Sequence, residues 1–132
     1  MIVLDASAAI EFLLGTSLGS SVAARLARDA EDLHAPHLLD VEVTQALRRL
    51  QAAGEIDEER ARGALEDFAD LPLTRHGHRE LLLRVWQLRR NATAYDGTYI
   101  ALAEALEAPL LTSDGRLARV PGHAARVEVV RR

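Results

Sequence analysis

Four acidic residues carry the chemistry open to this sequence: Asp5, Glu42, Asp96 and Asp114. Asp5 ends the apolar run Ile2-Val3-Leu4. A β-branched run of that kind suits a strand buried on both faces. Ser7 then stands as a cap for the helical pattern Ala8, Ile10, Phe12, Leu13. Asp5 is therefore expected at the carboxyl end of a central strand, the edge at which open α/β sheets bind ligands. A turn aspartate bonded to its own backbone fits the same position. Asp114 follows Leu110-Leu111 at a second strand-to-helix turn, where a plain N-cap is the alternative. Glu42 lies about 60° from the centre of the stripe Leu39, Val43, Ala46, Leu50 and so flanks a buried face. The helix dipole would also favour a surface glutamate there. Asp96 lines up with Ile100 and Ala103, pointing with the apolar stripe, where an unpaired carboxylate is costly. Thr93-Ala94-Tyr95-Asp96 equally reads as a capping box.

Four carboxylates gathered at one sheet edge would repel each other strongly. A hard divalent cation makes such a cluster tolerable. Oxygen-only donors, with no cysteine in the chain and no well-placed histidine, point to Mg²⁺ or Mn²⁺ rather than zinc. Such an ion activates water and stabilises charge on a phosphoryl group. The alternation His76-Gly77-His78 reads as a turn between strand and helix, not as a ligand pair.

Strands and helices alternate along the chain, the sign of an α/β domain. Short strands are expected at 2–4, 33–35, 71–74, 110–112 and 127–130. Helices are expected over 8–14, 22–30, 37–52, 57–70, 80–90 and 93–107, with a short one at 114–120. Gly15 to Gly19 reads as a break, Gly54 as a helix end and Asp57 as a cap. Pro72 puts the third of these strands at an edge. Leu81, Leu82, Val85 and Leu88 are expected to face inward, and Phe68 and Trp86 to be core or dimer-interface groups. Arg131 and Arg132 read as a basic tail. The reading is one domain over 1–132, with a central parallel sheet of about five short strands flanked by helices on both faces.

Composition narrows the function classes. Apolar residues make up 48% of the 132, which excludes a disordered chain. With no cysteine there is neither a disulfide framework nor a thiolate nucleophile. No signal peptide is expected, because Asp5 and Glu11 interrupt the first apolar stretch, and no run approaches the length of a membrane span. A cytoplasmic, membrane-free setting is the expectation. The formal charge of −4 argues against a simple nucleic-acid clamp. All 16 basic residues are arginine, so no reaction here uses a lysine. Receiver domains and haloacid-dehalogenase-like phosphatases, which also set aspartates at strand ends, depend on a lysine and are excluded. A dinucleotide-binding domain lacks its G-x-G-x-x-G after the first strand. Too few aromatic residues are present for a base-stacking platform.

Four segments, in order and at matching spacing, resemble the PIN domain. They are Ile2-Val3-Leu4-Asp5-Ala6-Ser7, the stretch from Ala35-Pro36-His37 to Glu42-Val43, Ala94-Tyr95-Asp96-Gly97-Thr98-Tyr99-Ile100-Ala101-Leu102-Ala103-Glu104, and Leu110-Leu111-Thr112-Ser113-Asp114-Gly115-Arg116-Leu117-Ala118. More closely they resemble VapC toxins of VapBC type II toxin–antitoxin systems, over essentially the whole chain. That resemblance implies a Mg²⁺- or Mn²⁺-dependent endoribonuclease toxin in which Asp5, Glu42, Asp96 and Asp114 form the acidic quartet. Asp5, Asp96 and Asp114 would hold the metal directly, and Glu42 through water or at a second ion. Ser7 and Thr112 match hydroxyl positions beside the quartet. Water activated by the cation would hydrolyse RNA phosphodiester bonds, leaving a 5′-phosphate and a 3′-hydroxyl, in structured RNA such as tRNA or rRNA. The resemblance also implies a homodimer, neutralisation by a cognate VapB-type antitoxin, and operator DNA bound only through that antitoxin. Arg48, Arg49, Arg89, Arg90, Arg116 and Arg119 are candidates to hold flanking phosphates. The rival reading is a PIN fold that only binds or regulates, with little or no nuclease activity.

Overall fold

Strand β1 (Ile2–Leu4) is the axis of the sheet because all three of its side chains are apolar, and all three are buried. The computed structural model describes residues 1–131, Asp29 by its backbone alone; Arg132 of the expected basic tail lies outside the described residues. After β1 come α1 (Ala6–Leu14), α2 (Ser17–Asp29), β2 (Leu33–Pro36), α3 (Leu38–Ala52), α4 (Glu58–Ala69), β3 (Leu73–His76), α5 (Leu82–Gln87), α6 (Ala94–Leu106), β4 (Leu110–Thr112) and β5 (Val127–Val129). Short 3-10 turns at Arg79–Leu81 and Gly115–Arg119 complete the order.

The sheet runs β3-β2-β1-β4-β5 and every pairing is parallel. The chain lays down β2 and β3 on one side of β1, then crosses back to put β4 and β5 on the other. With right-handed crossovers, the reversal sends α1 to α4 to one face of the sheet and α5 and α6 to the opposite face. Accordingly α6 packs on β1, β2 and β4, while α1 packs on β4 and α3 on β2. The result is the expected three-layer α/β arrangement. Strand order reverses between β1 and β4, and a crevice opens at that point, at the carboxyl ends of the strands. Tyr99, Ile2, Leu4, Leu39, Ile100 and Leu110 are among the largest fully buried side chains. Each such aliphatic group contributes roughly 1.5–3 kcal/mol by leaving water.

Helices α1 and α2 meet at a 107° bend. Gly15 takes a left-handed φ of 64° to end α1. Gly19 lets α2 cross so closely that a Cβ there would overlap the backbone carbonyl of Glu11. No single helix among the described residues is long and apolar enough to cross a membrane.

Several local expectations are corrected. Helix α2 starts at Ser17, not Val22, because Thr16 Oγ1 accepts from Gly19 N at 3.0 Å and caps it. Ser7 does not cap α1, which begins at Ala6 after Asp5; its hydroxyl turns to the Asp5 carboxylate instead. Strand β3 lies two residues later than expected, so His76 is not in a turn: it pairs with Pro36 in the sheet. Its Nε2 lies 2.8 Å from His34 Nδ1. The helix expected over 80–90 is a 3-10 turn followed by the short α5, and Leu82, at 56% exposure, faces solvent rather than inward. Of the two aromatic groups expected in the core or at a dimer interface, Phe68 is core and Trp86, 64% exposed with Arg89 over its ring at 4.4 Å, lies on the surface of the single chain.

Candidate metal centre

Asp5 is fixed by the crevice itself. Its backbone N–H donates to Leu111 O at 3.0 Å, continuing the β1–β4 pairing by one residue. Its Oδ2 accepts from Ser7 Oγ at 2.6 Å and from Thr112 Oγ1 at 2.7 Å. Those hydroxyls lie 3.0 Å from one another, and they also accept from Ser113 N and Asp114 N at 3.0 and 2.9 Å. Ser7 and Thr112 therefore orient the carboxylate and stitch the β1–α1 turn to the β4 turn. Asp5 Oδ1 has no protein hydrogen bond among the described residues.

Asp114 follows β4 and caps the Gly115–Arg119 turn, its Oδ1 accepting from Arg116 N at 3.0 Å. Its carboxylate is also forked by the Arg116 side chain, with Nη2 2.6 Å from Oδ2 and Nε 3.2 Å from each oxygen. Asp114 is thus a cap, and it also lines the cavity at the strand ends. The Arg116 guanidinium holds the Asp114 carboxyl below the usual carboxylate range.

Asp96 stands in the first turn of α6, where Thr93 Oγ1 accepts from Asp96 N at 3.1 Å. Thr93 therefore caps α6, and the Asp96 side chain lines the crevice. Burial pushes its carboxyl above the ordinary value; Arg116 opposes that, and the charges of Asp5 and Asp114 add to it. Glu42, in the second turn of α3, accepts from the Tyr99 hydroxyl at 2.6 Å through Oε1. Burial raises its carboxyl as well, Tyr99 opposes, and Asp5 and Asp96 add to the rise.

All four carboxylates border one cavity of about 610 Å³, the size of a small-molecule site rather than of a gap between side chains. Residues from β1, α3, α6 and β4, distant in sequence, are brought together there. Among the described residues no three of these groups already surround a common point as a formed ion shell would. Asp114 is turned onto Arg116 and Glu42 onto Tyr99. The donor set nevertheless fits a hard divalent cation: it is all oxygen, and the charges of Asp5 and Asp96 act on Glu42 while those of Asp5 and Asp114 act on Asp96. Sequence reasoning missed Tyr99 as a partner of Glu42. The signal was present, since a tyrosine in the apolar stripe of α6 needs a partner for its hydroxyl.

Comparison with known proteins places the sequence and the fold. A family model described as "PIN domain" matches residues 2–123. Ribonuclease VapC1 of Mycobacterium tuberculosis is 45% identical over 130 residues, covering 98% of this chain and 97% of the relative. Ribonuclease VapC12 of the same organism is also 45% identical, covering 98% and 99%. In fold, the chain is similar to the crystal structure of VapBC2 from Rickettsia felis bound to a DNA fragment from their promoter, with a TM-score of 0.73, 16% identity and 98% of each chain covered. It is similar also to Mycobacterium tuberculosis VapC20, a sarcin–ricin loop cleaving toxin, with a TM-score of 0.69 at 15% identity, covering 96% and 99%. The chain belongs to the PIN-domain family, among its VapC ribonucleases.

Proposed function

We propose that this protein is a Mg²⁺- or Mn²⁺-dependent endoribonuclease toxin that hydrolyses RNA phosphodiester bonds and is neutralised by a VapB-type antitoxin. The observation that carries the reading is the convergence of four carboxylates on one cavity at the reversal point of a parallel sheet. The membership of the chain among VapC ribonucleases supports the same reaction class.

Asp5, Asp96 and Asp114 would hold the cation directly, with Glu42 binding through water or a second ion. A bound divalent cation supplies Lewis acidity at a phosphoryl oxygen and lowers the pKa of water. The chain's own residues do the rest. Ser7 and Thr112 lock one Asp5 oxygen, so the other keeps a fixed direction. Tyr99 does the same for Glu42. Arg116, which forks Asp114, would have to release those oxygens for them to take a cation, and its guanidinium would then be open to a substrate phosphate. Structured RNA, tRNA or rRNA, is the substrate class proposed. The working form is a cytoplasmic homodimer, and operator DNA is met through the antitoxin; the VapBC2 complex on promoter DNA supports that last point by fold alone.

The test is RNA cleavage by the purified chain with Mg²⁺ or Mn²⁺. Cleavage that needs the cation and falls at least a hundredfold in Asp5→Asn and Asp96→Asn is the expected result. Near-normal cleavage by both variants refutes the assignment, and an inert wild type favours a module that only binds or regulates.

A further inference from the structure

The cavity that holds the four carboxylates extends well beyond them along α3. Six acidic residues border it, and Arg49 is the single basic residue that does. Arg49 takes part in no ion pair or side-chain hydrogen bond among the described residues. Of the other arginines singled out in the sequence, Arg116 forks Asp114, Arg89 stacks on Trp86, Arg48 borders a separate groove between α3 and α4, and Arg119 borders, with Asp96 and Arg116, a second cavity on the far side of Asp96 from α3.

Helix geometry ties Arg49 to the reacting end. Seven residues, at 100° each, bring Arg49 within about 20° of the Glu42 direction and about 10 Å farther along the axis. Between and beside them the cavity is bordered by Ile10, Ala46, Leu50 and Ala53, an apolar stretch of small and medium side chains. One side of the cavity thus runs from carboxylates through an apolar floor to an exposed guanidinium.

We infer that Arg49 and this floor form a subsite for the nucleotide flanking the scissile bond, with Arg49 gripping its phosphate and the floor carrying its ribose and base. The inference rests on the ribonuclease reading. An acidic centre repels a polyanion until cations neutralise it, so a cation of the protein's own within reach sets where the strand lies. Arginine suits the task because its planar fork meets two phosphate oxygens at once. The offset along α3 makes the contacted phosphate a neighbour of the scissile one, not the scissile one itself.

The experiment measures binding of a fluorescein-labelled RNA stem-loop with a single-stranded loop by anisotropy in Ca²⁺, across a salt series, with the RNA checked to be intact afterwards. Arg49→Ala is expected to weaken binding about tenfold and to lower the salt slope by about 0.7, the loss of one phosphate contact on a single strand. Arg49→Lys is expected to keep the slope while losing part of the affinity. Arg62→Ala, an exposed change away from the cavity, serves as the control and is expected to match the wild type. Wild-type binding with unchanged affinity and slope in Arg49→Ala overturns the subsite alone. Failure of the wild type to bind RNA at all overturns the ribonuclease reading and the subsite with it.

Discussion

The Tyr99 hydroxyl donates to Glu42 Oε1 across 2.6 Å, joining α6 to α3 beneath the carboxylate cluster. Tyr99 is 1% exposed, so its ring is core while its single polar atom serves the site. Burial, then the Glu42 carboxylate, pushes its phenol far above the ordinary range, so it remains a donor at every physiological pH.

Tyr99→Phe removes that donor and leaves Glu42 with one partner fewer. Hydrogen bonds to charged groups contribute about 1.5–3 kcal/mol, and Glu42 is only half-buried, so a stability loss of about 1–2 kcal/mol is expected. A double-mutant cycle with Glu42→Gln, read by urea unfolding, isolates the pair. Strictly additive losses would show that the contact carries no energy.

Arg116 competes with a cation for the oxygens of Asp114. Arg116→Ala is expected to return the Asp114 carboxyl toward its ordinary value and to tighten Mn²⁺ binding severalfold. Because Arg116 is exposed, salt should shrink the difference. Calorimetry at low and high ionic strength reads both effects. Weaker binding in the variant would mean that Arg116 orders the site instead of blocking it.

Asp96 links stability to pH in a definite direction. Its folded-state pKa is raised above the ordinary 3.8, by burial and then by Asp5 and Asp114 against the pull of Arg116. The folded form therefore holds the proton more tightly than the unfolded form does. The resulting stability is present below the unfolded value and is lost as pH rises through the folded value. In EDTA at pH 7, Asp96→Asn should melt above the wild type, by about 1–3 °C. The gap should close as pH approaches 4. A gap that widens on acidification would contradict the sign.

Much of this was legible in the sequence. The runs at Ile2–Leu4 and Leu110–Leu111 could only be buried strands, and the carboxylates that follow them mark the crevice. The apolar residues from Leu71 to Leu73 suggest a strand that starts at Leu71, two residues before β3 begins. In the fold, Leu73 N turns back to Leu71 O at 2.8 Å, and pairing with β2 carries the strand on to His76. Apolar spacing over 80–90 implies one continuous helix with Leu81, Leu82, Val85 and Leu88 inward; the 3-10 turn at Arg79–Leu81 breaks it, and of the four only Leu82 lies outside. The contact of Glu42 with Tyr99 was not legible, because it joins segments far apart in the chain and no periodicity encodes which distant side chain meets which.

Titration of the metal-free protein with Mn²⁺ by calorimetry, beside a variant carrying Asp5→Asn, Glu42→Gln, Asp96→Asn and Asp114→Asn together, probes the purpose of the carboxylate cluster without any RNA. Saturable binding by the wild type, absent from a folded quadruple variant, is the expected result. Equal heats from the two proteins would mean that these four side chains meet for some reason other than a divalent cation.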